Sequence, residues 1–231
     1  MKDKRERAID LMRNAQYGAA IPLFLELLNV DSNDFYAHYM LGQCYKFNGQ
    51  LTEAIESLEK SEELSRGSES KEWLKGVYLA LGIAYQQNQE LDRAVDTFLT
   101  GISLCPEEWE LHNSLGLTFN FMNNFREALN AYTAAQEIIV SAATKQHSKT
   151  VENEDGTKGL HVDPGKIYLT LKSSPDYCIV LNNIGGVYLK SGDLESAEKA
   201  FKESIEFIPD GFDYPHPHDG LDSVNNKKDS M

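Results

Sequence analysis

Cysteine is scarce in this chain. Cys44, Cys105 and Cys178 are the only three among 231 residues, and no two of them form a CxxC pair. An odd number at scattered spacing excludes a disulfide framework and fits reduced thiols in a cytoplasmic setting. Positive charge is also short: 22 Lys and Arg stand against 36 Asp and Glu, a net charge of −14. Nucleic acid and anionic membranes are recognised by clustered positive charge, so neither is expected as a partner; a basic or apolar polypeptide is. Long hydrophobic runs are missing. The longest, Ala19–Val30, carries Pro22, Glu26 and Asn29 and is too short and polar to span a bilayer. The opening MKDKRERAID is charged where a signal peptide carries an apolar core. Glycine-rich phosphate loops, HExxH and nucleophile elbows are absent too. No catalytic residue, cofactor or metal is therefore assigned, and the chain is not expected to be an enzyme.

What is present is a spacing. A small residue is followed three positions on by a large apolar one, then by an alanine, then four later by another large apolar residue. It reads Gly42–Tyr45–Ala54–Leu58, Gly82–Tyr85–Ala94–Phe98, Gly116–Phe119–Ala128–Tyr132 and Gly185–Tyr188–Ala197–Phe201, with a weaker copy at Ala8–Leu11–Ala20–Phe24. The five alanines lie 34, 40, 34 and 69 residues apart. Self-similarity at that period implies stacked helical hairpins in which each unit buries its apolar face against its neighbours. Breaks between paired helices fall at Asn48-Gly49, Gln87–Gln89, Met122–Asn124 and Ser191–Asp193. Close crossing demands small residues, so Gly42 is expected to meet Ala54.

These residues resemble the tetratricopeptide repeat family, whose unit runs Trp-x2-Leu-Gly-x2-Tyr, then Ala-x3-Phe, then Pro. The Leu-Gly-x2-Tyr core is complete at Leu41–Tyr45 and Leu81–Tyr85 and close at Leu115–Phe119 and Ile184–Tyr188. His38, Tyr78, His112 and Leu181 replace the opening tryptophan. The resemblance implies an all-α, right-handed superhelical solenoid over residues 1–211, with repeats at about 1–34, 35–68, 75–108, 109–142 and 178–211. It also implies a non-enzymatic scaffold or adaptor that holds a partner peptide or helix in a concave groove lined by first helices. Carried over by matching units, the groove candidates are Tyr36, Tyr39, Met40, Gln43 and Phe47, then Asn113, Asn120 and Phe121, then Asn182 and Asn183. Asparagine offers a donor and an acceptor to a peptide backbone, and aromatics offer apolar anchors.

Three departures interrupt the array. Six extra residues, Glu69–Leu74, are expected to lengthen the first helix of the third unit, with Trp73 packed on the preceding hairpin. Residues 143–177 lose the repeat signature. A mobile loop from Ser148 to Lys158 is expected there, followed by a short β-hairpin turning at Asp163-Pro164-Gly165 and including Ile167–Leu171. His147 and His161 flank the acidic run Glu152–Asp155, a weak hint of a metal site, and Asn153–Gly156 hints at an incomplete calcium loop. Finally, residues 212–231 read as a polar, mostly disordered tail. The last repeat would then be uncapped around Ile205 and Ile208, open either to Phe212 and Tyr214 folding back or to a second copy of the chain.

Overall fold

In the computed structural model the described residues are 2–66, 71–152 and 158–230. Their elements are α1 (Lys2–Arg13), α2 (Tyr17–Leu28), α3 (Phe35–Phe47), α4 (Leu51–Ser65), α5 (Lys71–Gln87), α6 (Leu91–Leu104), α7 (Trp109–Phe121), α8 (Phe125–Gln146), β1 (Ser148–Glu152), β2 (Lys158–Val162), α9 (Pro164–Ser173), α10 (Pro175–Ser191), α11 (Leu194–Glu206) and α12 (His216–Asp229). The described residues are all-α apart from one β-hairpin. It divides into two compact units, Met1–Thr118 and Phe119–Met231.

The hairpin turns repeat with the sequence. Ala15, Gly49, Gln89, Asn123 and Gly192 all have positive φ, between 56° and 89°. Each stands five residues before one of the recurring alanines. A left-handed residue reverses the chain after the first helix, and the next amide returns to that helix, as Gln50 N does to Tyr45 O and Asp193 N to Tyr188 O. Glycine and asparagine adopt this conformation readily; Ala15 and Gln89 hold it against a cost of about 1 kcal/mol.

In the first unit α3 packs on α4 and α5 on α6. The glycines meet the apolar residue four positions after the alanine, and not chiefly the alanine itself. A Cβ added at Gly42 would lie 2.6 Å from Leu58 Cγ and 3.2 Å from the Ala54 carbonyl oxygen, and one at Gly82 would lie 2.4 Å from the Phe98 ring. Absence of a side chain lets Leu58 and Phe98 seat directly on the opposing backbone, and both are fully buried. At 17 residues α5 is four longer than α3, slightly over one turn, and this extension carries Trp73. The indole packs edge-on against Phe35, Tyr36 and Tyr39 of α3 at 5.2–6.2 Å.

In the second unit two expectations need correction. The stretch expected as a loop from Ser148 is itself the hairpin: β1 pairs antiparallel with β2 in the register Ser148↔Val162, Thr150↔Leu160. Residues 153–157, and with them the calcium-loop hint, lie outside the described residues. Asp163-Pro164-Gly165 starts a helix and does not turn a hairpin. Asp163 caps α9 by accepting from the Lys166 amide at 3.1 Å, and Pro164 occupies the first turn, where its missing N–H costs nothing. Ile167 and Leu171 are therefore helical. Four residues apart, they share the face that packs with Ala143, Tyr177, Cys178, Leu181 and Phe207.

The second correction concerns the end of the chain. Residues 216–229, expected to be disordered, form α12, which packs on α10 and α11. Val224 is fully buried beside Ala197 and Phe201, with Leu221, Tyr188, Leu189 and Leu194 around them. Ile208 and Tyr214 join the Tyr177–Phe207 cluster. The last repeat is thus covered by its own chain. Glu198 of α11 adds an ionic tie to Lys202 and to Lys228 of α12. Hydrogen bonds from these two ammonium groups hold its carboxyl down from the ordinary 4.5 to about 2. A depressed carboxylate favours the folded state fully above its ordinary value and loses that effect as pH falls toward its native one. Amide exchange protection of α12 is therefore expected to weaken between pH 4.5 and about 2, and Glu198→Gln should weaken it already at neutral pH. Equal protection of wild type and variant at pH 7 would refute this.

Candidate functional site

On α3 the five candidates form one helical stripe, 36, 39/40, 43 and 47. Asp34 starts that helix by accepting from the Ala37 amide at 3.0 Å. It also pairs with Arg5, whose guanidinium lies 5.3 Å from the Tyr36 ring centroid. Burial, opposed by Arg5, raises the Tyr36 hydroxyl above its usual range. Tyr36 and Met40 are half-buried, and Met40 packs into the α1–α2–α3 core. Tyr39 and Gln43 act together: the Gln43 amide nitrogen donates to the Tyr39 hydroxyl at 3.1 Å. Gly76 of α5 leaves room for that hydroxyl, since a Cβ there would approach it to 3.3 Å. The Gln43 side-chain oxygen is buried with no hydrogen-bond partner among the described residues. One turn on, Phe47 is 58% exposed, stacks on Tyr17 at 4.8 Å and lies beneath the Lys46 ammonium. Burial pulls the Lys46 ammonium below its usual range. One face therefore carries an orphan acceptor, a hydroxyl, a desolvated cation and an exposed ring.

Asn113 is half-buried on α7. Two polar links between α5 and α7 escaped the pattern reading. Gln86 is buried and donates to Thr118 Oγ1 at 2.6 Å and to the Ser114 carbonyl, and Lys75 bridges Glu108 and Glu110 at 2.8 and 2.9 Å. Neither pair has a repeat signature, because each forms between different repeats and needs only one partner per site.

In the second unit Asn120 accepts from the Lys190 ammonium at 3.1 Å, and Phe121 is 54% exposed. Asn182 hydrogen-bonds the Tyr214 hydroxyl, which burial pushes up to about 12. That contact belongs to the chain's own C-terminal segment, where Tyr214 stacks on Phe212. Asn183 is half-buried on α10.

The histidines at the family's tryptophan position have structural roles. The Nε2 atoms of His38 and His112 lie 3.0 and 3.1 Å from the carbonyl oxygens of Ser32 and Pro106, six residues earlier in each case. His147 Nε2 lies 2.6 Å from Thr170 Oγ1. Among the described residues no group of three or more His, Cys, Asp or Glu is placed to hold a metal ion, and no helix is long and apolar enough to cross a membrane. The three cysteines are buried and in no disulfide, and burial raises Cys44 to about 12 and Cys178 to about 11.

Comparison with known proteins places this geometry. Models of the tetratricopeptide repeat match residues 23–56, 76–108 and 180–210. A peroxisomal targeting signal 1 receptor from Dictyostelium discoideum is 39% identical over 56 residues, 24% of this chain and 9% of the receptor, so the match spans less than a tenth of that protein. Among solved structures, MamA superposes with a TM-score of 0.63 over 97% of both chains at 21% identity. YrrB, described as a TPR protein with an unusual peptide-binding site, superposes with a TM-score of 0.59 over 96% of this chain and 88% of its own at 18% identity. At these identities the structures speak to fold alone, and they agree with the repeat matches and the five recurring turns: the chain carries tetratricopeptide repeats.

Proposed function

We propose that the chain is a non-enzymatic scaffold that holds a basic or apolar partner segment against the first helices of its repeats, with α3 as the main contact. The observation that carries this is the Gln43 side-chain oxygen, buried and unpaired beside the Tyr39 hydroxyl. Leaving a buried acceptor unpaired costs about 1–3 kcal/mol, which is recovered when the Gln43 side chain turns outward to take a partner's backbone N–H. Phe47 supplies an exposed aromatic anchor one turn away. Of two proteins this chain resembles, one is named as a targeting-signal receptor and the other as having an unusual peptide-binding site. Three buried cysteines outside any disulfide fit a reducing compartment such as the cytoplasm. Assembly through an uncapped last repeat finds less support, because α12 covers that surface.

Tyr39→Ala is expected to weaken capture of the physiological partner at least tenfold while the far-ultraviolet helical signal stays unchanged. Quantitative pull-down with wild type and variant side by side measures it. Undiminished capture by the variant would move the contact off α3.

A further inference from the structure

The turn between α3 and α4 carries a reactive pair. Asn48-Gly49 is the one Asn-Gly dipeptide in the chain; every other asparagine is followed by a residue with a side chain. We propose that Asn48 is a site of spontaneous modification, converting through a cyclic imide to aspartate and isoaspartate at a rate set by this turn. The chemistry needs the next backbone nitrogen to reach the asparagine side-chain carbonyl carbon. A Cβ on the next residue crowds that approach and narrows the dihedrals that permit it. At Gly49 the crowding is absent, and a Cβ built there would meet nothing within 4 Å. Asn48 and Gly49 are both exposed, so water reaches them.

Water is the one co-reactant. The Gly49 nitrogen loses its proton to hydroxide and attacks Asn48 Cγ. The new C–N bond closes the imide ring, and the Cγ–Nδ2 bond breaks to release ammonia. Water then opens the ring at either carbonyl, with no change of oxidation state. Opening at Cγ gives aspartate on the original backbone. Opening at the Asn48 main-chain carbonyl gives isoaspartate, whose backbone runs through the former side chain and is one methylene longer.

The folded turn holds the reacting atoms apart. Asn48 has a ψ of 1°, so the Gly49 nitrogen eclipses the nitrogen of Asn48 and stands to one side of its Cβ. Ring closure requires rotation about that bond. Three hydrogen bonds resist it. Gly49 N donates to Lys46 O at 3.2 Å, Gln50 N to Tyr45 O at 2.9 Å and Asn48 Nδ2 to Gln50 Oε1 at 2.7 Å. An exposed turn of this kind opens locally at far lower cost than the whole unit unfolds. The fold therefore slows the modification without abolishing it. The two products differ in consequence. Aspartate puts a negative charge at the C-terminal end of α3, beside Phe47, where the helix dipole opposes it. Isoaspartate also moves Gly49 out of the left-handed position that closes the hairpin, and the bond from Gln50 N to Tyr45 O is lost.

The full chain is incubated at mildly alkaline pH in water enriched in heavy oxygen, beside a capped peptide of residues 45–53. Peptide mapping by mass spectrometry follows both and separates the two products. Heavy oxygen is expected to enter at residue 48 ahead of every other asparagine, faster as pH rises. Conversion should be about tenfold slower in the folded chain than in the peptide, because only the opened turn reacts. Unfolding the chain in urea should bring the two rates together. The purified isoaspartate form should melt below Asn48→Asp, which carries the same charge on an unaltered backbone. An intact Asn48 after thirty peptide half-lives, earlier conversion at another asparagine, equal rates in folded chain and peptide, or an isoaspartate form as stable as Asn48→Asp would overturn the proposal.

Discussion

Replacing Phe98 by alanine is expected to destabilise the unit Met1–Thr118 by about 3–5 kcal/mol, the range for deleting a fully buried aromatic ring. The ring of Phe98 sits where a side chain of residue 82 would be, since a Cβ at Gly82 would lie 2.4 and 2.5 Å from two of its carbons. No rotamer change clears that overlap, because Phe98 has no solvent-exposed surface into which it could swing. Gly82→Ala is accordingly expected to cost about 1–3 kcal/mol by overpacking. The two substitutions should be strongly coupled. Once residue 98 is alanine, the methyl group at position 82 occupies vacated space, and its penalty should fall to near zero or change sign. Urea denaturation of wild type, both single variants and the double variant, followed by circular dichroism, gives the four corners of the cycle. Additive costs would show that Gly82 is small for a reason other than the seating of Phe98. Stability in repeat proteins is carried by contacts between neighbours, so the loss should spread to α3 and α4 and broaden the transition.

The five hairpins were readable because their requirements are local and recur. A left-handed turn five residues before the alanine recurs in all five hairpins, and a glycine under the large apolar residue recurs at Gly42, Gly82 and Gly185. The insert was misread where one tripeptide serves two structures. Asp-Pro-Gly suits a tight turn and equally suits a helix start, and what decides is whether the following residues have a core to face. Ile167 and Leu171 find one in Cys178 of the next helix and in Ala143 and Phe207, residues far away in sequence. The α3 stripe was legible as a face, because a helix period assigns faces. Its chemistry was not: that Gln43 turns its nitrogen to Tyr39 and leaves its oxygen unpaired depends on the opening left by Gly76, on another helix. The polar ties between α5 and α4 were missed for a related reason. Tyr78 and Tyr85 were read as repeat positions, and only the structure shows that each hydroxyl selects a glutamate of the preceding repeat.

Gly220→Val is expected to release α12 while leaving the repeats folded. Phe201 of α11 is clasped from both sides by glycine. A Cβ at Gly185 of α10 would lie 2.7 Å from its ring, and one at Gly220 of α12 would lie 2.5 Å away. Valine at 220 can be relieved only by moving α12, since Phe201 is held on its other side by the α10 backbone. Little else would keep α12 helical once it moves. Its 14 residues include an internal glycine and a polar majority, and an isolated helix of that length is marginal in water. Pro217, Leu221 and Val224, spaced i, i+4 and i+7, form the narrow apolar edge that packing turns into a helix; that edge was the one signal in a tail otherwise readable as disordered. Detachment should abolish exchange protection throughout His216–Asp229 and expose Phe201 and Ala197. Newly exposed apolar surface on the last repeat then becomes available to a second copy of the chain, so the variant should show a concentration-dependent rise in mass where wild type shows none. Sedimentation of both proteins over a hundredfold concentration range, alongside amide exchange, decides it: retained protection in α12 would mean that the clasp around Phe201 yields more easily than its geometry implies, and loss of protection without association would mean that the uncovered face is not self-complementary.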